Sequence, residues 1–175
     1  MRLPEATNTQ RAERGAQAVA KYAEKAKKFA HVGPAAYVAA ALYAAEVHAK
    51  AAGSTSPGQD MKNGLRDEAF SKLSDMVADV LHHMDGACQG HTLTSAAWHL
   101  FEMHTVGEDT ELIVVSDATD TGDAIDLLAN LCHAVHNLDG NPLDVLASGL
   151  REFEEEAEAE RVIQVRKARE DRLNG

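Results

Sequence analysis

Apolar side chains in this chain recur three and four residues apart, and glycine and proline interrupt the pattern at intervals. That periodicity is the signature of helices that bury one face. Thr7 and Gln10 have the spacing of a capping box, which opens a helix over about 9–30 with Val19, Tyr22, Ala26 and Phe29 on one face. Gly33-Pro34 ends it, and Pro34 suits the first turn of a second helix that runs to about Gly53, with Tyr37, Ala40, Ala41, Ala44, Val47 and His48 along its period. Four more helices are expected over about 65–85, 92–104, 121–138 and 142–173. The third helix turns Phe70, Leu73, Val77, Val80, Leu81 and Met84 inward, and the sixth turns Leu143, Leu146, Leu150, Phe153 and Ala157 inward. The core is expected to include Trp98, Phe101, Leu128 and Leu131 as well. The run Glu111–Val115 is strand-like but too short to make a sheet alone. Residues 53–64, GSTSPGQDMKNG, read as a linker of turn-forming residues that does not pack.

The fold class this predicts is all-α: a bundle of about six helices in a single helical domain over 1–160. It contains hairpin units at about 65–104 and 121–157, and a charged helical tail follows over 161–175. In the last helix the apolar stripe fades after Ala157. Glu152–Glu160 is acidic and Arg161–Arg172 mostly basic, the order that complements a helix macrodipole.

Composition narrows the partners. Hydrophobic residues make up 45% of the 175, enough to build a core, and the net charge is −11. Binding nucleic acid through its phosphates needs clustered Lys and Arg, so nucleic acid is not expected as a partner. An acidic surface suits a DNA mimic, but acidity more commonly serves solubility. No apolar run follows a basic start and no 18-residue apolar run exists, so a cytoplasmic chain without a membrane partner is expected. Cys88 and Cys132 have no CxxC pairing and read as reduced, core-type thiols.

One internal similarity stands out. DMVADVLH, Asp75–His82, aligns with DLLANLCH, Asp126–His133, so that Asp79 matches Asn130 and His82 matches His133. Beyond the following turn Leu93 matches Val145, Trp98 matches Leu150, Phe101 matches Phe153 and Glu102 matches Glu154. The pattern predicts a duplicated helical hairpin. The second unit, AIDLLANLCHAVHNLDGNPLDVLASGLREFEEEAE, resembles small helical phage-type proteins of unknown function. That likeness covers about 35 residues and implies no site. AKYAEKAKKFAHVGPAAYVAAALYAAEVHAKAAG is similar to the start of phage dATP/dGTP diphosphohydrolases, through Lys21-Tyr22, Gly33, Tyr37 and Ala39–Ala41. It departs from them at Leu42-Tyr43, where that family has Arg-His, and at Phe29, where it has Trp. Related all-helical pyrophosphohydrolases hold Mg²⁺ with Glu-x-x-Glu and Glu-x-x-Asp on facing helices. Glu152-x-x-Glu155 has that spacing but lies in a charge run.

The candidate chemistry lies in the repeated Asp/His stripes. Asp75, Asp79 and His82 share one helical face, and so do Asp126, Asn130 and His133. Should the two faces meet, Asp79, His82, His133 and Glu102 form a candidate divalent-metal site, since facing helices with carboxylates and imidazoles are how bundle cores hold metals. The alternative is that each stripe is a solvated polar face. His82, His83, Cys88 and His91 suit zinc by ligand type, but not by spacing. Ser116 and Ser148 have no identifiable base, and no phosphate-cradling loop is present. Two functions are carried forward. One is a non-enzymatic helical accessory or interaction protein, partnered by another protein or by itself as a homodimer, with no cofactor. The other is a metal-dependent all-α dNTP pyrophosphohydrolase. Enzyme status is left open.

Overall fold

A computed structural model describes residues 6–29, 32–106 and 120–174. Among them are seven helices and no strand: α1 (Asn8–Phe29), α2 (Pro34–Ala51), α3 (Pro57–Lys62), α4 (Arg66–Met84), α5 (Gly90–Val106), α6 (Asp120–Asn137) and α7 (Pro142–Asn174). The ELIVV run and Ser116 lie outside the described residues. No helix among the described residues is long and apolar enough to cross a membrane.

Local chemistry accounts for the helix ends. Thr7 and Gln10 form the reciprocal capping box: the Gln10 amide donates to Thr7 Oγ1 at 3.2 Å, and the Thr7 amide donates to Gln10 Oε1 at 3.0 Å. Asn141 Oδ1 accepts from the Leu143 amide, with Pro142 opening α7. The stretch expected to be an unpacked linker is partly ordered as α3. Ser56 caps it, Pro57 and Asp60 are buried, and Asp60 is held by Lys72 and Thr55. A turn-rich composition signalled the chain reversal but concealed this long-range ion pair.

The bundle centres on α4 and α6. Helix α4 lies between α1 and α7, and α6 lies against α5 and α2. The segments 65–104 and 121–157 therefore interlock: across them α4 packs on α7 and α5 on α6, while α4 and α5 hardly touch. Two glycines set the approach to α4. A Cβ on Gly15 of α1 would stand 2.0 Å from the Asp79 carbonyl oxygen, and one on Gly149 of α7 would stand 2.5 Å from Val77 Cβ. Leu73, Met76, Val77, Val80 and Leu81 of α4 and Leu127, Leu128, Leu131 and Val135 of α6 are fully buried. Each such side chain contributes about 1.5–3 kcal/mol by leaving water. Phe70, Trp98, Leu150 and Phe153, expected inside, are partly buried against this core. Leu143, expected on the inner stripe, is 50% exposed, because the buried face of α7 runs through Pro142, Val145, Leu146 and Gly149 and leaves Leu143 to one side.

Candidate functional site

On α4 Asp79 and His82 face inward, while Asp75, a turn earlier, is exposed. Asp79, His82, Asp126 and Asn130 are buried, so the reading of solvated polar faces is corrected at those four positions, and His133 is half-buried. A buried carboxylate needs partners. Asp79 receives them from two other helices: Arg14 Nε of α1 donates to Oδ2 at 2.6 Å, and His48 Nε2 of α2 donates to the same oxygen at 2.8 Å. Arg11 Nη1 lies 3.7 Å from Oδ1, an ion-pair distance too long for a hydrogen bond. Burial pushes the Asp79 pKa upward, but the hydrogen bonds and charges of His48 and Arg14 outweigh it and hold the carboxyl below its ordinary range. Arg11 also reaches Glu156 of α7 at 2.6 Å, and His82 Nε2 donates to Glu156 Oε2 at 2.9 Å. One charge network, buried at Asp79, His48 and His82 and part-buried at Arg11, Arg14 and Glu156, thus ties α1, α2, α4 and α7 together.

The four expected metal ligands are divided between two places. Asp79 and His82 belong to this network, joined through Arg11 and Glu156. His133 of α6 packs edge-on against Phe101 of α5, with ring centroids 4.8 Å apart, and Glu102 is exposed. Among the described residues no group of three or more His, Cys, Asp or Glu side chains is disposed to hold a metal ion. The histidine-rich segment is dispersed as well. His83 pairs with Asp120, the Cys88 thiol donates to the Gln89 carbonyl, and His91 is exposed. Burial pushes the Cys132 thiol up to about 12, which leaves it protonated and inert. Asn130 is buried on α6. Its Nδ2 donates to Tyr22 Oη at 3.0 Å and to the Asp126 carbonyl. Burial pushes the Tyr22 phenol far above its ordinary range, so the contact is neutral.

A second feature lies on the seam between α4 and α7. The Asp75 and Glu152 carboxyls interact across this seam, through charge and a hydrogen bond that favours the proton on Glu152. Burial, the Asp75 charge, that hydrogen bond and Glu156 push Glu152 up to about 7. Desolvation by the α7 side chains around it likewise raises Asp75, though its side chain reaches solvent, against the lowering pull of nearby His48. Glu152 opens onto a shallow cleft of about 320 Å³ with Phe70, Ser74, Asn141 and Arg151. A larger open cleft of about 460 Å³ lies between the start of α5 and α7, lined by Gln89, Gly90, His91, Phe153 and Arg161. Neither reaches Asp79.

Sequence reasoning singled out Asp75, Asp79 and His82 but missed Arg11, Arg14, His48 and Glu156. His48 carried a usable signal, an ionisable ring on the inward period of an alanine-rich helix. The two arginines carried none, since their role depends on the α1–α4 crossing. With the interior carboxylate clamped by Arg14 and His48 through Oδ2 and faced by Arg11 at Oδ1, the network joins helices. Compared with known protein families, curated proteins and solved structures, the chain matches none.

Proposed function

We infer that this chain is a non-enzymatic, cytoplasmic helical interaction protein, of the accessory kind that phages encode, working through an exposed helix face. The observation that carries this reading is the far end of α7. Every side chain from Arg161 to Arg172 is exposed, and Val162, Ile163 and Val165 are 39%, 64% and 69% exposed. An apolar group held in water on a projecting helix contributes nothing to the fold it belongs to, and gains by burial against a partner. The rival reading, a metal-dependent dNTP pyrophosphohydrolase, requires carboxylates free to take a metal. Asp79 and Glu156 are instead committed to Arg11, Arg14, His48 and His82.

The test has two arms. Deleting residues 162–175 is expected to leave cooperative unfolding intact, and purified full-length chain with Mg²⁺ or Mn²⁺ is expected to release no pyrophosphate from dNTPs. Metal-dependent turnover that Glu152→Gln abolishes overturns the reading in favour of the enzyme.

Residues 65–104 and 121–157 are read as two copies of one unit. Support comes from a reciprocal contact: His82 stands edge-on to Phe153 with centroids 4.9 Å apart, while its counterpart His133 stands edge-on to Phe101, the counterpart of Phe153, at 4.8 Å. Exchanging the units maps one ring pair onto the other.

A further inference from the structure

The exposed end of α7 has an order to it that its exposure alone does not require. Glu155, Glu158, Val162, Val165, Arg169 and Arg172 are spaced three and four residues apart alternately, and all six are exposed. At 3.6 residues per turn they fall on one face within an arc of about 100°, the a and d spacing of a coiled coil. The face reads acid, acid, apolar, apolar, base, base. We propose that this stripe pairs with the same stripe of a second copy, antiparallel, in a register centred between Ile163 and Gln164. In that register Val162 lies opposite the second copy's Val165, Glu158 opposite its Arg169, and Glu155 opposite its Arg172. Antiparallel packing puts each a position against a d position, which this register satisfies along the whole face. The inference rests on the reading of α7 as the contact element, and names its partner.

Charge decides the direction. Parallel pairing would set Glu155 on Glu155 and Arg172 on Arg172, and like charges across a helix pair repel. It would also bring two bodies of a chain with net charge −11 side by side. Antiparallel pairing neutralises both ends of the face and places the bodies at opposite ends of a helix pair about 26 Å long. Ile163, the third exposed apolar residue, stands off this stripe and takes no part. Only two apolar layers are available, so the dimer is weak, reversible and weakened by salt.

Light scattering and sedimentation of the full chain across a concentration series read the outcome. A dimer at high concentration is expected, dissociating as salt is raised. Glu158→Arg and Arg169→Glu each set like charges face to face twice in a two-fold pair, and each is expected to weaken association by about tenfold or more. The double variant Glu158→Arg with Arg169→Glu restores it, and Ile163→Lys leaves it unchanged. Circular dichroism on each variant separates loss of association from loss of helix. A chain monomeric at every concentration, or a dimer indifferent to both single charge reversals, overturns the pairing. Those results leave the non-enzymatic reading standing, because that reading falls only to metal-dependent turnover.

Discussion

Two carboxyl groups on neighbouring helices give the protein a signed response to pH. Glu152 in the folded chain holds its proton up to about 7, against 4.5 for an ordinary glutamate. Across that window the folded state binds a proton that the unfolded chain has released, so stability falls as pH rises through it and is level above. Asp75, also raised, adds with the same sign. The melting midpoint is therefore expected to drop between about pH 5 and about pH 7.5, and Glu152→Gln should flatten most of that slope. A midpoint that rises over the same range contradicts the proton-sharing pair. Asp79 works the other way. Its pKa is depressed, so its contribution is present above about 3.8 and is lost as acid protonates it. Asp79→Ala strands Arg14 and His48 without their counter-charge. It is expected to destabilise by about 3–5 kcal/mol in chemical denaturation, because breaking a buried pair leaves an uncompensated charge. Of this network the sequence revealed the α4 half only. An Asp-x-x-His stripe is visible in one helix, whereas its arginine and glutamate partners lie 65 and 74 residues away.

At the scale of the helix, the period of three and four located all six long elements. It said nothing of how closely they approach. Gly15 and Gly149 sit in helix interiors, where replacement by alanine alone would stabilise by about 0.8–1 kcal/mol. Here the added methyl of Gly149→Ala meets Val77 Cβ and the Ser74 carbonyl oxygen at 2.5 and 2.7 Å. Both contacts belong to a buried helix that cannot yield cheaply. The clash reverses the sign, and Gly149→Ala is expected to destabilise by about 1–3 kcal/mol. An increase in melting midpoint would mean that α7 and α4 do not cross so closely. The far end of α7 behaves in the opposite manner. Its side chains past Arg161 touch little of the body, and exposed ion pairs such as Glu158–Arg161 contribute about 0–1 kcal/mol. Removing 162–175 is accordingly expected to change stability by less than about 0.5 kcal/mol in dilute solution. The fading stripe after Ala157 signalled this segment from sequence alone.

At the scale of the molecule, interlocking decides what folds. Periodicity within one helix cannot say which neighbour it packs on, and the expectation of two helical hairpins within one bundle did not include the exchange of partners. Helix α4 lies mainly on α1 and α7, and α5 lies mainly on α6. A chain divided into residues 1–106 and 107–175 separates α4 from α7 and α5 from α6. The first fragment would keep the α1–α4 contact but expose one flank of Val77 and the whole inner face of α5, including Leu93, Ala97 and Phe101. Uncovering several side chains worth about 1.5–3 kcal/mol each removes as much as the 5–15 kcal/mol by which a domain is stable. Neither fragment is therefore expected to unfold cooperatively by itself. Mixing them should restore a single transition and the edge-on His82–Phe153 and His133–Phe101 contacts, because both pairs bridge the cut. The check is calorimetry on each fragment and on the equimolar mixture. A first fragment that melts cooperatively near the midpoint of the intact chain would show that 1–106 is a domain in its own right, and that the α4–α7 seam is a docking contact rather than part of one core.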